Sequence, residues 1–248
     1  MTSNHFLVKQ KNLHPPQALL DEEEHHHLSR VLRMAPGEKV WLVDEQGNSY
    51  RAEVEEVGGR QTRLSILEKR EASAGKLRLI LAQALIKSKS MDLVIQKATE
   101  LGVAVIIPVE AARSVVRLKD KEAGKLERWR KIAREAAKQS RRSDIPFIQP
   151  PQPYSSFLRA REEPRRLILC EDGGVILRDI LAEGPGQPGH PKVPAVVVLV
   201  GPEGGWTKEE EEQAVEKGFA AVSLGSRILR SETAALAILA AISVFWGD

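Results

Sequence analysis

The stretch Leu199–Glu212, LVGPEGGWTKEEEE, decides how the rest of the chain is read. An apolar run stops at a loop of three glycines and one proline, and a block of acids follows. This reads as strand, loop and helix, a setting in which glycine-rich loops often hold phosphate. The residues do not fit that use. A Walker A loop needs Lys and then Ser or Thr after its last glycine, where Trp206 and Thr207 stand. Glycines at 201, 204 and 205 also miss the G-x-G-x-x-G dinucleotide spacing. Thr207 and Glu210 form a capping-box pair, and Glu209 to Glu212 put negative charge on the positive end of the helix. Such a helix start repels phosphate, so the loop is expected to serve a ligand that is not a polyanion.

A second glycine turn lies in VSLGSRILRSETAALAIL, Val222–Leu239. The strand AAVSL is expected to end at Gly225 and an irregular SRILR to follow. A helix then begins near Ser231, read as its N-cap, with Glu232 and Thr233 in the first turn. The rest of that helix is apolar on nearly every side and is expected to be buried. Each loop alone fits an ordinary tight turn. Two of them at the C-terminal edge of one sheet describe a ligand crevice.

Outward from these loops, buried strands alternate with helices. KLRLILAQAL, VAVIIPV, RRLILC, PAVVVLV and AAVSLG read as strands, and MDLVIQKATELG as a helix stopped by Gly102. That alternation predicts an α/β domain with a largely parallel sheet covered on both faces. Up to about Arg70 the texture differs: KVWLVD, YRAEVEEV and TRLSILEKR alternate at a two-residue period and are separated by the turns EQGNS and GGRQ. These predict a β meander or small barrel, interrupted by one helix in LDEEEHHHLSRVLRM. EASAG, Glu71–Gly75, reads as a linker and AEGPGQPGHPK, Ala182–Lys192, as a surface loop.

Composition narrows the class. A 42% hydrophobic content supports a real core, and the single cysteine, Cys170, excludes a disulfide framework and fits a reducing compartment. MTSNHFLVKQ has no apolar h-region, and VPAVVVLV and AALAILAAISVFW fall short of the ~20 residues a membrane span needs. A cytoplasmic globular protein with no membrane partner is expected.

The net charge is only +3, but twelve Lys or Arg against four acids lie between Ala111 and Arg142. There KLERWRKIAREAAKQSRR reads as a helix with Leu126, Trp129, Ala133, Ala136 and Ala137 on one face. Arg128, Lys131, Arg134, Lys138 and Arg142 lie on the other. That face suits nucleic-acid phosphates, and equally a solvated face, since Glu127 and Glu135 interrupt it. His25, His26 and His27 point about 100° apart on one helix and cannot converge on one ion, so no metal is expected.

The pair LVGPEGGWTKEE and LGSRILRSETAALAIL resembles the signature of the SPOUT RNA methyltransferases, and most of all their RsmE family. HHHLSRVLRMAPGE, KSKSMDLVIQKATELGV and RWRKIAREAAKQSRR agree with that family in the same order. The resemblance spans nearly the whole chain. It implies a PUA-like RNA-binding β-barrel over residues 1–72 and a SPOUT methyltransferase domain over 75–248 with a deep trefoil knot. It also implies a homodimer, S-adenosylmethionine as methyl donor, and methylation of N3 of a uridine in 16S rRNA of the small ribosomal subunit.

Matched to the family's motifs, Leu199, Gly201, Glu203, Gly204, Leu224, Gly225, Ile228 and Leu229 are the candidate cofactor contacts. Glycines suit that task because main-chain groups must approach the ligand closely. For Leu199 and Ile228, core packing is an equal alternative. Arg230 is the candidate for stabilising charge on the uracil oxygens, and Glu232 for holding it or accepting a proton. A structural ion pair between the two is the other reading. Arg30, Arg33, Arg113, Arg117, Arg128, Arg134, Arg141 and Arg142 are the candidate phosphate contacts. Two further readings stay open: a SPOUT 2′-O-ribose or guanine methyltransferase, and a non-catalytic RNA-binding assembly factor.

Overall fold

In a computed structural model, residues 5–44, 48–70, 77–117, 122–142, 144–161, 163–185 and 195–247 are described. The expected linker 71–75, residues 1–4, 45–47 of the EQGNS turn and 186–192 of the Gly/Pro loop lie outside them. The chain divides into two compact units, Met1–Ala74 and Gly75–Asp248.

The first unit holds β1 (His5–Val8), β2 (Leu13–His14), β3 (Gln17–Asp21), α1 (Glu22–His26), β4 (Lys39–Asp44), β5 (Ser49–Val57) and β6 (Gln61–Arg70). Its sheet runs β1-β4-β5-β6-β3-β2, antiparallel except for the parallel β1/β4 pair. The two-residue period explains the core: Val40 and Leu42 of β4 and Tyr50, Ala52 and Val54 of β5 point inward to meet Phe6, Leu20, Leu28 and Leu64. Asp44 is buried at the strand end yet satisfied, accepting from Gln10 Nε2, Asn48 Nδ2, the Asn48 amide and the Tyr50 hydroxyl at 2.8–3.0 Å. The sequence pattern reads β4, β5 and β6 but gives no warning of β1 or of β3, the latter obscured by the helix-like acids and histidines that follow it.

The expected helix at 20–34 is shorter and changes pitch: α1 runs into a π-helical turn over His27–Val31. Its histidines part as the 100° step requires. His25 is buried with Nδ1 2.9 Å from Thr62 Oγ1, His27 is buried against the Phe6 ring, and His26 is exposed. Among the described residues no group of three His, Cys, Asp or Glu could hold a metal ion.

The second unit is built on β7 (Arg78–Ala84), α2 (Ser88–Glu100), β8 (Val105–Glu110), α3 (Glu122–Gln139), β9 (Phe147–Ile148), β10 (Gln152–Pro153), α4 (Tyr154–Arg159), β11 (Arg165–Leu169), β12 (Val175–Ile176), α5 (Leu177–Ala182), β13 (Ala195–Val200), α6 (Lys208–Glu216), β14 (Ala220–Ser223) and α7 (Ser231–Trp246). The parallel sheet runs β10-β8-β7-β13-β11-β14-β12, with β9 beside β8.

Strand residues alternate between two apolar layers. Leu79, Leu81, Ile106, Val196, Val198 and Val200 face α2, α3, α5 and α7, while Ile80, Ala82, Ile107, Val197 and Leu199 face α4 and Trp206. Burial on both faces is why these strands read as unbroken apolar runs. α2 buries Met91, Val94, Ile95 and Ala98, and α3 buries Leu126, Trp129, Ala133, Ala136 and Ala137, both at helical spacing. The expectation of full burial for α7 is wrong on one side. Ile238, Leu239 and Ile242 are buried, but Val244 is 76% and Phe245 69% exposed. No helix among the described residues is long and apolar enough to cross a membrane.

Candidate cofactor crevice

The loops after β13 and β14 end side by side with the residues following β11, at the C-terminal edge of the sheet. They enclose a crevice of about 830 Å³ lined by Gly201–Glu203, Gly205, Trp206, Leu224, Gly225 and Arg227–Glu232 among others. This is where parallel α/β sheets take ligands.

The first loop is held from below. Trp206 is buried, donates from Nε1 to the Leu169 carbonyl at 3.0 Å and lies 5.5 Å from the Tyr154 ring. Gly201 rests on that indole, and a Cβ there would sit 3.2 Å from its Cε2 and Nε1. Arg113 crosses from the segment after β8 and donates through Nη1 to the carbonyls of Gly204 at 3.0 Å and Trp206 at 2.9 Å. Glu203 Oε1 accepts from the Lys87 amide at 3.0 Å, tying the loop to the start of α2.

At the head of α6 the capping box forms as its residues require. Glu210 N–H donates to Thr207 Oγ1 and Thr207 N–H to Glu210 Oε2. Glu209 is held below the usual carboxylate range by its own amide and then by the Thr207 hydroxyl. With Glu209, Glu210 and Glu211 in its first turn, this terminus offers nothing to a phosphate.

In the second loop Gly225 has φ +110° with open space around it, so glycine serves the backbone conformation there. Ser231 is not the N-cap. Arg230 occupies that position without a side-chain cap, and Ser231 is the first helical residue. Its hydroxyl instead donates to the Gly201 carbonyl at 2.5 Å and accepts from Gln83 Nε2 at 3.0 Å, joining the two loops.

Of the candidate cofactor contacts, Gly201, Glu203, Leu224, Gly225, Ile228 and Leu229 line the crevice. Leu199 does not: it is fully buried in β13, in the apolar layer beneath. Gly204 also lies outside the lining, and a Cβ there would sit 3.2 Å from the Arg113 Cβ. Ile228, for which core packing was the alternative, is 81% exposed. Arg230 and Glu232 both face the crevice, and no ion pair joins them among the described residues. The structure also brings in residues that were not candidates for the site: Lys87, Cys170, Glu171, Asp172, Glu211 and Arg227. For Glu171 and Asp172 a signal existed, since two acids directly follow the buried strand RRLILC at the same sheet edge. Burial pushes the Cys170 thiol up to about 12, and the Glu211 carboxylate adds to the shift. Five cations (Lys87, Arg113, Lys208, Arg227, Arg230) and five carboxylates (Glu171, Asp172, Glu203, Glu211, Glu232) line the wall, so the crevice is mixed in charge and balanced.

The candidate phosphate contacts divide. Arg30 and Arg33 are exposed in the first unit, Arg33 at φ +52°. Arg141 is exposed and Arg134 half-buried on α3. The others are engaged within the chain. Arg142 donates through Nη1 to the carbonyls of Thr99 and Val103 and pairs with Asp144. Arg128 pairs with Asp92 of α2, and Arg117 holds the carbonyls of Ala111 and Ala112 beside Glu110. For Arg142, with a side chain only 12% exposed, the phosphate reading gives way to a structural one.

Comparison with known proteins shows the family of the chain. Residues 73–243 match the RNA methyltransferase domain family and residues 20–67 the RNA methyltransferase PUA domain family. The ribosomal RNA small subunit methyltransferase E of Bacillus subtilis is 34% identical over 96% of this chain and 93% of its own length. The structure of that enzyme from Neisseria gonorrhoeae, bound to S-adenosyl methionine, is 35% identical over 100% of this chain and 99% of its own, at TM-score 0.62. A methyltransferase from Legionella pneumophila in complex with the same cofactor is 34% identical over 99% of each chain, at TM-score 0.64. The chain belongs to the RsmE family of RNA methyltransferases.

Proposed function

We propose that the chain transfers the methyl group of S-adenosylmethionine to N3 of a uridine in 16S rRNA of the small ribosomal subunit. The observation that carries this reading is the meeting of two loops, low in side-chain bulk, over one charge-balanced crevice in a chain of the RsmE family. S-adenosylmethionine combines an ammonium and a sulfonium with a carboxylate and presents base edges and hydroxyls. A wall of five cations and five carboxylates, with Gly201 and Gly225 in the lining, fits such a ligand. The self-capped head of α6 disfavours a nucleoside polyphosphate in its place.

When bound, the cofactor supplies an electrophilic methyl on a good leaving group. The chain's task is to hold the uracil in line with it and to manage the N3 proton. Arg230, at the crevice edge, is suited to stabilise the negative charge that builds on the uracil oxygens as that proton leaves. Glu232, two residues on and not paired to Arg230, has a carboxylate available to accept the proton. Arg30 and Arg33 of the PUA-like unit, with Arg134 and Arg141, are the phosphate contacts in this reading.

The same reading includes a homodimer, a trefoil knot and a cytoplasmic setting. Val175, Ile176, Val244 and Phe245 are exposed, and Ile176 and Phe245 line one apolar cleft of a kind that protein contacts cover. Leu224 lines both the crevice and the apolar cleft beside Phe245, which would set a partner subunit against the cofactor. For the knot, the support is the return of the chain from β14, near the sheet edge, so that α7 packs on β7 and α2. The test is to incubate the purified chain and S-adenosylmethionine with small subunits from a strain lacking the activity and to identify the methylated nucleoside by mass spectrometry. Appearance of 3-methyluridine is expected, whereas a ribose-methylated nucleoside, a methylguanosine or no methylation overturns the reading.

A further inference from the structure

Gln83 is a polar side chain that follows the apolar run Leu79–Ala82 and is fully buried near the end of β7. Its amide nitrogen donates to Ser231 Oγ at 3.0 Å and to the Ala84 carbonyl at 3.2 Å, while its Oε1 is buried without a partner. Ser231 has a single hydroxyl proton, and that proton goes to the Gly201 carbonyl at 2.5 Å. The serine oxygen must therefore accept from Gln83, which fixes which end of the Gln83 amide faces it. The peptide between Gly201 and Pro202 has no N–H, so its carbonyl is the polar handle by which it can be held. Ser231 is also the first residue of α7, with Arg230 before it and Glu232 after it.

We infer that Gln83 is a positioning residue: it orients the Ser231 hydroxyl, which sets the spacing of the Gly201 and Arg230–Glu232 loops across the cofactor crevice. The inference rests on the cofactor reading above. A buried amide with an orphaned acceptor contributes little net stability compared with an apolar residue of like volume. Its effect is therefore to appear in ligand affinity and turnover rather than in the melting temperature.

The experiment is calorimetric titration of S-adenosylmethionine into the wild-type chain and into the Gln83→Met, Ser231→Ala, Ser231→Thr and Gln83→Met/Ser231→Ala variants, with a thermal melt of each without ligand. Loss of the hydroxyl in Ser231→Ala weakens binding by about tenfold, a hydrogen bond's equivalent, and Ser231→Thr stays within about threefold of wild type. Gln83→Met weakens binding by about fivefold with an unchanged or higher melting temperature, and adds nothing in the Ser231→Ala background. Wild-type affinity in Gln83→Met, an equal loss in both backgrounds, or a loss that tracks the melting temperature overturns the relay alone. Should Gln83→Met fail to fold, the serine variants decide, and equal affinity of Ser231→Ala and Ser231→Thr overturns it. No uptake by the wild-type chain overturns the relay together with the cofactor reading.

Discussion

The Glu210 carboxylate accepts the Ala112 amide at 2.7 Å across 98 residues of sequence while its other oxygen closes the capping box on the Thr207 amide. One buried side chain thus caps α6 and anchors the segment after β8, from which Arg113 reaches back to the Gly204–Trp206 loop. Replacing Glu210 with Ala removes the box and leaves the Ala112 amide unpaired, a loss of about 2–3 kcal/mol. Urea denaturation checks this, and an unchanged midpoint contradicts it.

Arg113 was a candidate for phosphate, but its guanidinium bridges two loop carbonyls. Arg113→Ala is expected to weaken S-adenosylmethionine binding about tenfold, and Arg113→Lys to restore little, because the lysine nitrogen ends one bond short of Nη1, the single atom that donates to both oxygens. Titration calorimetry on the two variants decides; full rescue by Lys would put the role down to charge alone.

Arg142 and Arg134 separate structure from RNA contact on one helix end. Arg142→Ala is expected to cost about 1.5–3 kcal/mol of stability, since two carbonyls and Asp144 lose a charged partner, with no change in the salt dependence of RNA binding. Arg134→Ala is expected to do the reverse, leaving stability within about 0.5 kcal/mol and lowering the slope of log K against log salt by about one. Filter binding across a salt series reads both slopes, and an exchange of the two outcomes would reverse the assignment.

The Arg230 side chain lines the crevice and has no ion-pair partner among the described residues. Arg230→Ala is expected to lower turnover on small subunits about 100-fold while S-adenosylmethionine affinity changes less than about threefold. Near-normal turnover would remove Arg230 from the chemistry.

Cys170 gives a pH signature. Its thiol is pushed up from 9.0 to about 12 in the folded chain, first by burial and then by Glu211. The folded state therefore keeps a proton that the unfolded state releases. This contribution is fully present below about pH 9 and lost as pH rises toward about 12. Tyr154, also pushed up chiefly by burial, adds a decline of the same sign starting higher. Denaturation midpoints at pH 8 to 10.5 should fall less steeply in Cys170→Ala than in the wild-type chain, and parallel curves would refute the assignment.

Much of the architecture was legible because each buried strand carries its own period. Leu79–Leu81 and Ile80–Ala82 split cleanly between layers, and α2 and α3 bury the residues their spacing names. The self-capped helix and the two converging loops were legible for the same local reason. What escaped is long-range. Nothing near Ser231 announces that its hydroxyl turns away from its own helix to Gly201, or that Gln83 lies beneath it. Arg113 and Arg142 look like surface cations until the carbonyls they hold are seen. Phe245 looked like core because α7 is apolar all round, and a single chain leaves one side of it uncovered.

The most direct test of the central claim is a crystal structure of the chain grown with S-adenosylmethionine. Density is expected between Gly201–Trp206 and Leu224–Arg230, above the Trp206 indole, with main-chain groups of both loops on the adenosine. Density elsewhere on the chain, or a crevice without ligand at saturating concentration, would contradict the account.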